Sequence, residues 1–122
     1  MKSSTDEILR FIVSSFRSVW ALELLLLLKG EPRPWSHGDL NSTMRASEVV
    51  VVKALAGLEA AGLVTIADGR AQYTPVNEEV AALVEQAEAL YAKRPDTVRR
   101  AIISVALGDA AAFANAFRLR KE

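Results

Sequence analysis

The chain has 122 residues, 51% of them apolar and 25% charged, which suits one folded domain with a single core and excludes a disordered chain. Fifteen basic and fifteen acidic residues cancel, so the chain as a whole has no strong field that would attract a polyanion. Because it has no cysteine and one histidine, His37, we expect no disulfide, no thiol chemistry, no bound metal and no cofactor.

The N-terminal part is predicted to form two helices. Ser4 and Glu7 have the spacing of a capping box at the start of the first helix. The second helix covers about residues 17–29 and ends at Gly30. The sequence leaves open whether residues 14–18 separate the two helices or continue the first.

A run of apolar residues extends from Val19 to Leu28 and is interrupted by Glu23. It is about ten residues long, whereas a helix needs about twenty to cross a bilayer. It also lacks the small-residue cleavage site of a signal peptide and begins too far into the chain. We interpret it as a buried core helix of a cytoplasmic protein without a membrane-spanning segment.

The middle of the chain carries the signals of two helices joined by a tight turn. Ser36 is a suitable cap for a short helix that reaches about Met44. After a tight connection, Ser47 caps a longer helix that runs to Ala61, and Gly62 ends it in the left-handed conformation.

A β-hairpin is predicted directly afterwards. Two β-prone runs, residues 63–66 and 71–74, flank an Asp68-Gly69 turn, and Pro75 ends the second run. An Asp-Gly pair between two such runs is the strongest short-range hairpin signal.

The C-terminal part is predicted to be helical. Asn77 caps a helix whose apolar side chains form one stripe, and Pro95 ends it. Two shorter helices follow, over about residues 96–107 and 109–119, divided by Gly108. The sequence therefore predicts a mainly α fold with a small β-hairpin.

Residues 55–64 place two leucines on one helical face, then a glycine that reverses the chain, then the start of the hairpin. This stretch resembles the winged helix-turn-helix regulators of the MarR and ArsR type, over residues 40–75, about a third of the chain. The resemblance implies a winged helix-turn-helix flanked by N- and C-terminal dimerisation helices. It divides a single domain, 1–122, into N-terminal helices (1–30), the helix-turn-helix with its wing (36–75) and C-terminal helices (77–122).

The resemblance also implies a function, that of a transcriptional regulator that binds double-stranded DNA as a homodimer. The second helix, residues 47–61, would enter the major groove, and Arg70 near the wing tip would reach the flanking minor groove or backbone. The residues expected at the DNA are Ser36, His37, Arg45, Ser47, Val49, Val50, Lys53 and Arg70.

The outward side of the second helix, at about 100° per residue, is formed mostly by small apolar residues with one cation: Val49, Lys53, Ala56, Gly57, Ala60 and, at its edge, Val50. Base-reading helices usually present polar side chains, so this composition leaves a second interpretation open. The chain would then be a winged-helix protein-interaction module that binds a protein partner through the apolar outward face of residues 47–61.

Regional charge favours the same alternative. Residues 36–75 contain three basic and four acidic side chains, whereas DNA affinity depends on clustered cations. The basic clusters lie elsewhere, over residues 93–100 and 118–121. In a dimer they would flank the duplex, and the other interpretation is that they are solvated helix ends.

Aromatic residues are concentrated towards the two ends of the chain. They belong either to an intramolecular core or to a dimer interface of terminal helices, and we favour the interface. Its expected members are Phe11, Phe16, Trp20, Ile102, Phe113 and Phe117.

An enzyme is not predicted. The sequence has no glycine-rich phosphate loop, no Ser/His/Asp order and no metal-ligand spacing. A ligand-sensing role stays open, but no polar cluster identifies an effector.

Overall fold

The computed structural model describes residues 3–106. This range contains six helices, which include 69% of its residues, and a three-stranded antiparallel sheet. The helices are α1 (Thr5–Ser15), α2 (Val19–Gly30), α3 (His37–Met44), α4 (Glu48–Ala60), α5 (Glu78–Lys93) and α6 (Pro95–Ala106). The strands are β1 (Trp35–Ser36), β2 (Val64–Ala67) and β3 (Arg70–Tyr73). The predicted mainly α fold with a small hairpin is confirmed. The helix predicted over residues 109–119 lies outside the described residues.

The chain divides into two compact units. Unit 1 comprises residues 1–19 and 82–122, and in its described part α1 packs against α6. The buried apolar side chains of that part are Ile8, Leu9, Ile12, Phe16, Val84, Ala87, Val98 and Ile102.

Unit 2 comprises residues 20–81 and contains α3, α4 and the sheet, so the predicted helix-turn-helix and wing lie wholly within it. Five residues of α2 are buried, which agrees with the interpretation of the apolar run as a core helix. The core of unit 2 is formed by Ala21, Leu22, Leu24, Leu25, Leu28, Trp35, Leu40, Val51, Leu55, Leu58, Leu63, Val64 and Ala71.

The capping box predicted for α1 is present. The Ser4 hydroxyl accepts a hydrogen bond from the Glu7 N–H (3.2 Å), and the Glu7 carboxylate accepts one from the Ser4 N–H (2.9 Å). The hydrogen bond from the Ser4 N–H, and after it the Ser4 hydroxyl, hold the pKa of Glu7 below its usual value, because both favour the ionised carboxylate. At the other end Phe16 is extended (φ −121°, ψ 117°) and buried, so the segment over residues 14–18 is a break.

The two helices of the central motif begin at their predicted caps. The Ser36 hydroxyl accepts from the Asp39 N–H (3.1 Å), and the Ser47 hydroxyl accepts from the Val50 N–H (3.4 Å). Arg45 takes the left-handed conformation (φ 54°, ψ 48°), which reverses the chain between α3 and α4. The two helices pack against each other.

Gly62 ends α4 because only a residue that tolerates positive φ fits there. Its φ is +78°, its N–H donates to the Glu59 carbonyl, and the Leu63 N–H donates to the Leu58 carbonyl, which together form a Schellman motif. A Cβ at this position would lie 3.1 Å from Val76 Cγ1.

Gly62→Ala and Gly57→Ala are expected to change the free energy of unfolding in opposite directions. The first should destabilise by about 1–2 kcal/mol through left-handed strain, before the Val76 contact is added. The second should stabilise by about 0.5–1 kcal/mol, because it lies inside α4 with open space around it. Urea unfolding of both variants tests this, and equal effects would contradict the assignment of the α4 end.

The sheet has β3 in its centre, in the order β1-β3-β2. Asp68 and Gly69 both have positive φ (54° and 73°), as a two-residue type I′ turn requires. The strands occupy Val64–Ala67 and Arg70–Tyr73, so the predicted bounds were wrong by one residue at each end. Sequence reasoning also missed β1, because a strand of two residues is too short to show an alternating pattern of apolar and polar residues.

The predicted cap of α5 is confirmed, because the Asn77 side-chain oxygen accepts from the Val80 N–H (2.8 Å). Pro95 does not simply end the preceding helix, since it is also the first residue of α6. A proline fits that position because the first helical N–H needs no partner. Within residues 3–106 no single helix is long and apolar enough to cross a membrane, and α1 and α2 meet that test only when taken together.

Candidate functional site

Helix α4 presents Val49 and Val50 on its exposed side, as the sequence predicted, together with Val52, which the prediction did not include. Val51 and Leu55 are fully buried and Leu58 is 1% exposed, which fixes the inward side. On the opposite side Val49 is 68% exposed, and Val50 and Val52 are 45% and 47% exposed. Three large apolar side chains therefore meet solvent on the first half of this helix.

Three cations of unit 2 belong to the same motif. Arg45 precedes α4, Lys53 lies on it, and Arg70 begins β3 directly after the hairpin turn. All three are exposed, and within residues 3–106 their side chains have no ion-pair or hydrogen-bond partner. Such side chains can meet a phosphate without first breaking an internal contact.

The sheet brings two predicted site residues together. Ser36 on β1 lies opposite Arg70 on β3, and Trp35 lies opposite Ala71. Directly opposed residues of an antiparallel pair have Cα atoms about 4.5–5.5 Å apart. The cap of α3 and the hairpin arginine are thus neighbours, and His37, half-buried, begins the helix beside them.

Trp35 holds β1 in place, and sequence reasoning missed it. Its ring is 3% exposed and its indole N–H donates to the Glu31 carbonyl (3.0 Å). The Arg33 guanidinium carbon lies 3.8 Å from the ring centroid, and Arg33 Nε lies 3.7 Å from Glu31 Oε1. The available signal was an aromatic residue after two prolines that keep the chain extended.

The hairpin is tied to α4 by a hydrogen bond and by packing, and its own strands are joined by a further bond. The Ile66 N–H on β2 donates to the Glu59 carboxylate of α4 (3.4 Å), and β2 packs against that helix. The hydroxyls of Thr65 and Thr74 hydrogen-bond across the strands. These contacts fix the hairpin, and with it Arg70, relative to the exposed face of α4.

The predicted dimer residues differ in their accessibility. Phe16 and Ile102 are buried in the core of unit 1. Phe11 is half-buried and meets Phe16 edge to face, with ring centroids 6.2 Å apart, and Trp20 is half-buried in unit 2. Phe113 and Phe117 lie outside the described residues.

An open depression on the sheet includes Arg70 among its lining residues, together with Pro34, Thr65, Ala67, Asp68 and Gln72. Over the described residues 3–106 no three His, Asp or Glu side chains are grouped as metal ligands. Comparison of the chain with family models, with curated proteins and with solved structures finds no match. The function is therefore argued from the residues of the site.

Proposed function

We propose that the chain is a cytoplasmic transcriptional regulator that binds double-stranded DNA through a winged helix-turn-helix, similar to the MarR and ArsR type. The observation that carries the proposal is the exposed face of α4, preceded by Arg45 and followed by a hairpin that begins its second strand with Arg70. The exposed cations of this motif have no partner within the described residues. A helix with one exposed face, followed by a hairpin, is the arrangement that inserts into a DNA groove in winged helix-turn-helix proteins.

In this proposal α4 enters the major groove. Lys53 and Arg45 contact phosphates, and Arg70 reaches the backbone or the adjacent minor groove. Val49, Val50 and Ala56 contact thymine methyl groups, which are the apolar feature of that groove. Methyl contacts discriminate weakly, so we expect modest sequence preference and an affinity that depends strongly on salt.

The regulator acts as a homodimer in this proposal. Two copies of α4 would then read half-sites about one helical turn, roughly 34 Å, apart. Apolar side chains that retain access to solvent support an interface: Phe11 and Trp20 are half-buried, and Ile103 on α6 is 49% exposed.

Titration of a mixed-sequence duplex across a salt series tests the proposal. We expect binding at about 50 mM salt that weakens steeply towards about 200 mM. With three phosphate contacts per protomer from Arg45, Lys53 and Arg70, six in the dimer, the slope of log K against log salt should be about −5.4 or steeper. Sedimentation and circular dichroism must first establish a folded sample and its oligomeric state. No binding by folded protein at the lowest salt would overturn the proposal.

A second candidate is a protein-interaction module that uses the same helix. The exposure of Val49, Val50 and Val52 favours it, because an apolar patch with few charges suits a protein partner. The charge of unit 2 agrees, since residues 20–81 contain five basic and eight acidic side chains. The partner would offer an apolar helix face to these valines.

A further inference from the structure

A cluster of cations lies in unit 1, where α5 ends and α6 begins. Residues 89–106 contain four cations and one carboxylate, Asp96. The cations are Lys93, Arg94, Arg99 and Arg100, and all four are exposed. We call these four residues the basic corner.

Two arginines of the basic corner are held in place. Arg99 NH1 lies 3.4 Å from the Asp96 carboxylate, and its guanidinium carbon lies 5.6 Å from the centroid of the Tyr91 ring. The Arg100 Nε–H donates to the Asp96 backbone carbonyl (3.3 Å). A single residue, Asp96, therefore orients both side chains, and its one carboxylate leaves most of the positive charge uncompensated.

The other two cations have no such contact. Within residues 3–106 the side chains of Lys93 and Arg94 have no ion-pair or hydrogen-bond partner. They lie at the end of α5, directly before α6. The corner thus combines two oriented guanidinium groups with two unpaired cations in eight residues.

We infer that the basic corner is a second DNA-contact surface, which binds the phosphate backbone and supplies much of the salt-dependent affinity. This inference rests on the proposed function, and it explains how a chain whose unit 2 has a net negative charge could hold a duplex. Backbone contacts of this kind position a protein without reading sequence. The basic corner adds affinity for any duplex, and the exposed face of α4 supplies the modest preference for particular sequences.

Duplex DNA fits the corner better than a membrane surface. A helix that lies on a bilayer needs an apolar face to insert. The apolar face of α6 contains Val98 and Ile102, which are buried in unit 1 and so are not available. Ile103 and Val105 are exposed on α6 (49% and 39%). They are two positions apart and so lie about 200° apart around the helix, which does not give one inserting face.

Arg94→Glu, compared with Arg17→Glu, tests the inference. Both arginines are exposed, lie outside helices and have no side-chain partner within the described residues, so the two variants change net charge equally. Duplex affinity is measured across a salt series for wild type, both single variants and Lys93→Glu/Arg94→Glu. In the dimer each substitution is present twice, so we expect Arg94→Glu to make the salt slope shallower by about 1.8 and the double variant by about 3.6. Arg17→Glu should leave the slope near wild type. Thermal unfolding of each variant confirms that the fold is kept.

The outcomes separate this inference from the proposed function. A shallower salt slope in the double variant, with unchanged preference between duplex sequences, supports the basic corner as a DNA-contact surface. If the wild type binds the duplex and the double variant has the same salt slope, the inference about the basic corner is wrong, and the proposed function is unaffected. No wild-type binding at low salt overturns the proposed function and the corner with it. Binding to vesicles of anionic phospholipid, lost in the double variant while duplex binding is absent, would assign the corner to a membrane instead.

Discussion

Lys53→Glu/Arg70→Glu should weaken duplex binding by at least about a hundredfold at physiological salt, since each protomer loses two phosphate contacts worth roughly fivefold each and each reversal also adds a repelling charge. The two side chains lie on α4 and at the start of β3, so the variant removes cations from the helix and from the hairpin together. Fluorescence anisotropy with a labelled duplex measures the loss. Because both positions are exposed, we expect the free energy of unfolding to stay within about 0.5 kcal/mol of wild type.

Val49→Asp and Val49→Ser distinguish the DNA-binding regulator from the protein-interaction module. Val49→Ser removes methyl groups without adding charge, so under the DNA proposal it leaves the salt slope unchanged and lowers preference for thymine-containing sites. Under the alternative, Val49→Asp abolishes partner capture, whereas Lys53→Glu/Arg70→Glu does not affect it. A double reversal without effect on duplex affinity would count against α4 and the hairpin as the DNA surface.

Trp35→Ala should lower the free energy of unfolding by about 3–5 kcal/mol, the usual cost of deleting a buried tryptophan side chain. The ring is 3% exposed, and its loss would also remove the bond to the Glu31 carbonyl and the stacking of Arg33. Small domains are stable by about 5–15 kcal/mol in total, so the variant should unfold at much lower urea concentration. Because β1 would lose its anchor, Ser36 would no longer be held opposite Arg70.

Trp35→Phe is the matched control for this prediction. It keeps an aromatic ring and loses the indole N–H, which should cost about 1 kcal/mol for the hydrogen bond in addition to a smaller packing loss. Urea unfolding followed by far-UV circular dichroism compares the two variants. If Trp35→Ala lies within about 1 kcal/mol of wild type, the ring does not anchor β1 as described.

The helix caps and the hairpin turn could be predicted from the sequence, because each depends on residues three or four positions apart. Ser36, Ser47 and Asn77 cap through their own side chains, and the Asp68-Gly69 turn needs only that these two residues adopt positive φ. The outward position of Val49 and Lys53 on α4 also followed from helical spacing alone. Their partner, DNA or protein, stays a prediction, since spacing does not specify what covers a face.

The amino-acid order by itself determined where α1, α3, α4 and α5 are capped and which side of α4 faces the core. Only the tertiary structure decided that β1 pairs with β3, that Phe16 and Ile102 are buried within unit 1, and that Trp35 fixes Ser36 beside Arg70. The reason is range: a cap is satisfied within one turn, whereas Trp35 meets Ala71 across 36 positions of chain. Pairing and burial at that distance depend on how all the segments pack, and no local pattern records it.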